Sequence, residues 1–394
     1  MGRSRVSNTA ARIVTDVRRR GDVALTYWRR RLGDDVGPIE ITARELRRGW
    51  GATPKEVRAA LRLSARNIRV VAKAQRPRAF VVSPVPGVRI EQRVVAFDRV
   101  GCYVPAGRFP LPSSLLMTAV TARTAGVREV IAVCPRPTDV VLAAALEAGV
   151  DRLFRVGGAQ AIGALAYGTK TIPAVDKIAG PGNAWVTAAK TFVSGDCAID
   201  MQAGPSEIAI YSNTGDPKWI AADLLAQAEH DPRARAIFVT NKASLAKAVS
   251  TCVGRHFSSG SGAATKIPAD VRRRILVMPS RNAAIQLMNA IAPEHAVCDN
   301  AADARALTSA GTVFVGRWSA QASGDYATGS NHVLPTAGAA RWRGGLSAAD
   351  FVRVFTVQTL TRQGIETIAP SAMALARAEG LAAHEASIAL RVRR

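Results

Sequence analysis

Cysteine is scarce and scattered. The five residues Cys102, Cys134, Cys197, Cys252 and Cys298 form no C-x-x-C pair in a chain of 394 residues. That argues against a disulfide framework or a thiolate zinc knuckle, and marks them as reduced core residues of a cytosolic protein. No apolar run approaches the roughly 18 residues of a membrane span, no secretory h-region opens the chain, and Val6 stands where a myristoylation signal needs Ser or Thr. No membrane association is predicted, and the cytoplasm is the expected compartment. Acidic residues are also short, 30 against 53 Lys and Arg for a net charge of +23, and aromatics make up only 5%. A basic excess can mark a nucleic-acid binder. Here the short runs Arg18-Arg19-Arg20, Arg29-Arg30-Arg31 and Arg272-Arg273-Arg274 are separated by acidic residues. No helix-turn-helix, zinc-finger or single-strand-binding signature accompanies them. The expectation is a solvated basic surface suited to anionic cofactors, with no nucleic-acid partner.

Hydrophobic residues make up 48% of the chain, ample for more than one core. Residues 1 to about 80 read as helices at near-helical apolar spacing. From about residue 85, buried-strand runs such as "VREVIAVCP", "VDKIAGPG", "SEIAIYS" and "RAIFVT" alternate with amphipathic stretches, and a second such series follows residue 270. That alternation predicts parallel sheets covered on both faces. "SSGSGAATKIP", 258 to 268, reads as a small-residue connector, and the chain returns to helices beyond residue 346.

Two glycine turns follow strand-like runs. "DKIAGPGNAWVTAAK" reads as strand, Gly180-Pro181-Gly182-Asn183 turn and helix start, a geometry that offers backbone N–H groups to an anion. Trp185 stands where the third glycine of G-x-G-x-x-G belongs. "VGGAQAIGALAYG" places Gly157 and Gly158 after a strand and Gln160 at a helix opening. Either turn also serves close packing or positive φ alone. In "DLLAQAEHDPRA", Gln227 and His230 share one helical face. Histidine is a common zinc ligand and a glutamine carbonyl an unusual one, so the pair equally suits a polar face ending at Pro232.

Three further segments pair histidine with a carboxylate. "SGDYATGSNHVLP" holds Asp325 and His332 in a polar, glycine-rich loop, and "APEHAV" sets Glu294 beside His295, where the two can share a proton-transfer task. "AEGLAAHEA" carries Glu379 and His384, splayed on one continuous helix unless Gly380 breaks it. Of the five histidines only His256 lacks a neighbouring carboxylate or carboxamide. A mixed N/O set without cysteine suits a catalytic zinc or similar divalent ion, which makes a metal enzyme the leading class. A hydrolase with Glu294 as base and a dehydrogenase with the glycine turns as cofactor platform both fit.

"GCYVPAGRFPLPSSLLMTAVTARTAGV", "VGGAQAIGALAYGT", "VDKIAGPGNAWVTAAK", "AIDMQAGPSE", "DLLAQAEHDP", "APEHA", "SGDYATGSNHVLPT" and "AEGLAAH" resemble, in order and spacing, the motifs of the histidinol dehydrogenase family. The resemblance runs from about residue 10 to the end and implies a zinc- and NAD-dependent enzyme that oxidises L-histidinol through the aldehyde to L-histidine with two NAD. By that resemblance one zinc per subunit is held by Gln227, His230, Asp325 and His384, and NAD contacts fall on Tyr103, Gln160 and Asn183. His295 takes the alcohol proton and Glu294 activates water. Ser206 and Glu379 join Gln227, His230, His295, Asp325 and His384 around the substrate, with His332 nearby. It further implies an intertwined homodimer in which His384 and Glu379 come from the partner subunit. Gln202 and the stretch Arg341-Trp342-Arg343-Gly344-Gly345 depart from the family pattern. A related enzyme for another small polar alcohol, such as a sulfonated diol, is the alternative.

Together these readings predict an α/β protein with two Rossmann-like domains that lack a complete nucleotide-binding fingerprint. Residues 1–106 with 206–346 form the first, including the N-terminal helices, 107–205 form an inserted second, and 347–394 form a C-terminal helical dimerisation arm.

Overall fold

The computed structural model describes residues 3–34, 37–106, 111–202, 204–230, 232–258, 271 and 274–392, and for Arg3, Ser4, His230 and residues 255–258 the backbone only. Two compact units divide the chain, Met1–Gln75 with Asp98–Phe351 and Arg76–Phe97 with Val352–Arg394.

In the larger unit a first sheet runs in the order Glu40–Ile41, Arg152–Phe154, Glu129–Val133, Arg99–Tyr103, Lys177–Ala179, Ala198–Ile199. Only the first pair is antiparallel. Numbered along the chain, the parallel strands stand 3-2-1-4-5, the doubly wound arrangement in which strand order reverses between the first strand and the fourth. Strands such as Glu129–Val133 are buried almost throughout, as a sheet covered on both faces requires. Helix Arg3–Arg20 lays Ala10, Ile13, Val14 and Val17 into the same core as Ile162, Leu165, Val186 and Ala189. The sequence pattern places the N-terminal helices and Arg99–Tyr103 with residues 206–346; in the structure Arg99–Tyr103 is a strand of this sheet and helix Arg3–Arg20 packs on its core. The reason is a short parallel crossover: Arg99–Tyr103 pairs with Glu129–Val133 through the intervening helix Pro112–Ala125.

The second sheet, Ile275–Val277, Arg235–Thr240, Glu207–Tyr211, His295–Cys298, Thr312–Val315, is parallel throughout and repeats the 3-2-1-4-5 order. Alternate residues of its central strand face opposite layers. Ile208 and Ile210 pack with Leu224, Leu225 and Val249, while Ala209 and Tyr211 pack with Ala284, Ile285 and Met288. Ser258 closes helix Ala243–Ser258, and the rest of the connector expected at 258–268 lies outside the described residues.

The smaller unit is a three-stranded antiparallel sheet, Val352–Leu360 on Val88–Ala96 on Phe80–Val82, followed by helices Arg362–Ala378 and Ala382–Val392. The C-terminal segment, expected to be helical, therefore opens with a strand. "VRVFTVQTL" has the β-branched and aromatic content of one, but its partner lies most of the chain earlier, where local patterning cannot reach it. Gly380, at φ 74°, ends the first of the two helices.

Edge strand Glu40–Ile41 leads into helix Ala43–Ala52 through a capping box. Glu45 N–H donates to Thr42 Oγ1 at 3.2 Å, and Thr42 N–H donates to Glu45 Oε2 at 2.9 Å. Arg155 adds a 2.6 Å bond to Glu45 Oε1. The Thr42 amide first, then Arg155, pull the Glu45 carboxyl down to about 2. A depressed folded pKa contributes stability above the ordinary value of 4.5 that is lost as pH falls toward 2. Glu45→Gln should cost about 1 kcal/mol at pH 7, and denaturant titrations should show the gap to wild type closing below pH about 4.5. A gap constant across that range would refute the linkage.

Candidate active site

The chemistry-bearing residues of the second sheet gather at the N-terminal ends of its two central strands. Helix Arg281–Ile291 stops at Ala292 in the left-handed conformation, and Pro293 turns the chain so that His295 opens its strand in register with Ile208. The backbone of Glu207 then meets both members of the adjacent pair. Its N–H donates to Glu294 Oε2 at 2.8 Å, and its carbonyl accepts from His295 Nδ1 at 3.1 Å. A proton on Nδ1 leaves Nε2 as the basic nitrogen, 3.7 Å from Asp325 Oδ1. Both side chains are buried, and burial pushes the Glu294 carboxyl up to about 7. Burial pulls His295 down, but Asp325 and Glu294 outweigh it and its net shift is upward. Burial likewise raises Asp325, and His295, His332 and Gln321 reverse that to a net lowering. A carboxyl that exchanges its proton near neutrality beside a carboxylate-backed imidazole is equipped for general acid–base work.

Asp325 is held from several sides. Gln321 Nε2 donates to its Oδ2 at 3.0 Å, and His332 Nδ1 lies 2.9 Å from its carbonyl oxygen with Nε2 3.2 Å from Ser114 Oγ. Asn331 Nδ2 donates to Met117 O at 2.8 Å, and Asn67 Nδ2 to Ala327 O at 2.7 Å, docking this loop on two helices of the larger unit. Beside Asp325 opens a cavity of about 640 Å³ whose walls include Leu61, Ser64, Ala226, Glu229, Gln321 and Tyr326.

Gln227, on helix Pro217–His230, is 1% exposed, and its Oε1 finds no donor among the described residues. A buried acceptor left bare costs about 1–3 kcal/mol, and a cation would satisfy it. Gln227 and Asp325 thus offer oxygen donors that fit a divalent ion. His230 ends the same helix, with its side chain outside the described residues. Among the described residues no three His, Cys, Asp or Glu form a metal cluster. His384 and Glu379 are exposed residues of the smaller unit on either side of Gly380. Ser206 immediately precedes Glu207, and its carbonyl accepts from Arg235 N–H at 2.9 Å.

The three residues expected at a nucleotide lie around the first sheet's switch point, at the carboxyl ends of its strands. Tyr103 ends the central strand, and its Oη accepts from Gly158 N–H at 3.1 Å. Gly180, at φ 120°, passes so close that a Cβ there would lie 2.2 Å from Tyr103 O. Asn183 caps helix Ala184–Val193, its Oδ1 accepting from Trp185 N at 3.0 Å and Val186 N at 3.2 Å. Gln160 is fully buried, and neither its Oε1 nor its Nε2 finds a partner among the described residues. That orphaned carboxamide fits a ligand carrying both donors and acceptors, as a nucleotide does.

At the equivalent place in the second sheet, Asn300 caps helix Ala301–Ala306 as Asn183 does its own, through Ala302 N and Asp303 N. The residue before it, Asp299, reaches across the switch point and accepts from Asn213 N at 2.8 Å, Thr214 N at 3.0 Å and Thr214 Oγ1 at 2.9 Å. The amides of that crevice already hold an anion belonging to the protein. Sequence inspection missed Asp299, and it missed Glu207 and Gln321, which position the site. The i, i+4 spacing of Gln321 and Asp325 on one short helix was the available signal for one of them.

The histidinol dehydrogenase family model matches residues 1–392. The chain is 44% identical to the histidinol dehydrogenase of Agrobacterium fabrum over 98% of this chain and 92% of that protein, and 42% identical to that of Acinetobacter baylyi over 96% and 91%. Its structure superposes on the crystal structure of histidinol dehydrogenase from Elizabethkingia anophelis with a TM-score of 0.93 at 32% identity, covering 98% of this chain and 92% of that one. With the whole sequence, the order of its motifs and the fold all in agreement, the chain belongs to the histidinol dehydrogenase family.

Proposed function

We propose that this chain oxidises L-histidinol through L-histidinaldehyde to L-histidine with two NAD, as a cytoplasmic, zinc-containing homodimer of histidine biosynthesis. The observation that carries this reading is the buried Glu294–His295 pair, fixed on the Glu207 backbone beside Asp325, in a member of this family.

Zinc, when bound, supplies a fixed positive centre for the substrate's imidazole and amino nitrogens, and NAD supplies the hydride acceptor. Gln227, His230 and Asp325, with His384 of the partner subunit, would hold the metal, and Ser206 and Glu379 would contact the substrate. Tyr103, Gln160 and Asn183 would line the nucleotide crevice. The protein's own anion at Asp299 favours the first sheet over the second for that role. His295 Nε2 accepts the hydroxyl proton as hydride leaves the carbinol carbon, giving the aldehyde. Glu294, with its pKa near 7, takes a proton from the water that adds to that aldehyde. The oxyanion of the hydrate, whose other water proton sits on Glu294, then loses a second hydride and passes its hydroxyl proton to His295, which has by then released the first proton to solvent, leaving the carboxylate.

The smaller unit supports the dimer. Phe80, Val81, Val82, Val354, Phe355, Leu375 and Leu390 are exposed large apolar residues on it, spread over both faces of its sheet and its helices, and a second copy would cover part of that area.

Purified enzyme with L-histidinol should form two NADH per substrate consumed, and no turnover in the zinc-loaded protein refutes the reading. Glu294→Gln should slow the second oxidation by roughly 10² to 10⁴, so the stoichiometry falls toward one and aldehyde accumulates. His295→Ala should slow both steps; equal effects of the two variants on both oxidations would contradict the division of roles. Mixing inactive His384→Ala with inactive His295→Ala subunits should restore activity after exchange, because one composite site regains every group. Exchange verified by mass spectrometry without recovery would rule out a shared site.

A further inference from the structure

Among the described residues Lys190 and Asp200 form the most deeply buried ion pair of the larger unit, with side chains 2% and 0% exposed, and the proposed chemistry uses neither. Lys190 lies on helix Ala184–Val193, and Asp200 directly follows strand Ala198–Ile199. Between them they hold both polar groups of one peptide residue. Lys190 Nζ donates to the Asp200 carboxylate and to Gly180 O at 3.0 Å, while Gly180 N–H donates to Asp200 Oδ2 at 2.7 Å. Asp200 Oδ1 also accepts from Met201 N–H at 2.6 Å. Gly180 is the residue that passes Tyr103 too closely for any Cβ. The turn is thus pinned at its start by an ion pair and at its end by the Asn183 cap.

Arg343 extends the cluster. It donates to Asp200 O and stands 3.6 Å from Asp350, which in turn lies 3.8 Å from Lys177, on the strand leading to Gly180. A buried ion pair contributes little net stability against an apolar replacement of similar volume. Its geometric specificity is what an apolar pair would not supply.

We propose that Lys190 and Asp200 are positioning residues for the nucleotide, fixing the Gly180–Asn183 turn as one wall of the crevice whose other walls are Tyr103, Gly158 and Gln160. The proposal rests on NAD occupying that crevice. In the double variant Lys190→Met/Asp200→Leu the core stays filled while both bonds to Gly180 are lost. NADH affinity, followed by fluorescence titration of the intact enzyme, should fall about tenfold or more, the scale of one lost hydrogen bond to a charged group, about 1.5–3 kcal/mol. KM for NAD should rise in parallel, with kcat at saturating NAD and KM for histidinol within about twofold of wild type. Asp200→Asn, which keeps an acceptor for Gly180 N–H but removes the charge, provides the folded test if the double variant does not fold, and should weaken NADH measurably. Asn183→Ala separates the two ideas. If it weakens NADH while the clamp variants bind as wild type, the clamp is refuted and the crevice stands; if all variants bind as wild type, the crevice assignment falls with it.

Discussion

The proposed acid–base pair depends on the backbone of a single buried strand residue. Glu207 offers one N–H and one carbonyl, and the parallel register of its strand with His295–Cys298 puts Glu294 on the first and His295 on the second. Backbone groups do not change rotamer and carry no sequence requirement beyond the strand itself. The orientation of two consecutive functional side chains is therefore set by sheet register, and a slip of one residue would exchange their faces.

The same register explains the electrostatics. Glu294 is buried where only one amide and its neighbours meet it, so its carboxyl rises to about 7. His295 is equally buried yet shifts upward, because carboxylates lie on two sides of its ring. Two adjacent residues in one environment thus both shift upward for opposite reasons, the carboxyl because burial penalises its charge and the imidazole because flanking carboxylates, against burial, stabilise its own.

Much of this was legible in the sequence, unevenly. Alternating strand and helix patterns gave the two parallel sheets, and "APEHAV" gave the adjacent pair, because both are local. The pairing of Val352–Leu360 with Val88–Ala96 was hidden by sequence distance, and the affiliation of the N-terminal helix by the fact that a hydrophobic stripe does not name its partner. No repeat of fixed period marks the chain, yet both sheets have the same strand order and the same asparagine cap after the fourth parallel strand. Topology repeats where residues do not. Gln227 and Gln160 stand out only weakly by type; that the Gln160 carboxamide and Gln227 Oε1 are buried without partners among the described residues is a tertiary property.

Asp299 gives that repetition an asymmetric outcome. A carboxylate tethered one residue beyond its own strand meets the amides of Asn213 and Thr214 with its translational entropy already surrendered, an advantage no dissolved phosphate shares. What those two amides hold is therefore set by covalent connectivity. Of two like-built platforms on a strongly cationic protein, one thus carries a carboxylate of its own chain on the amides at its switch point.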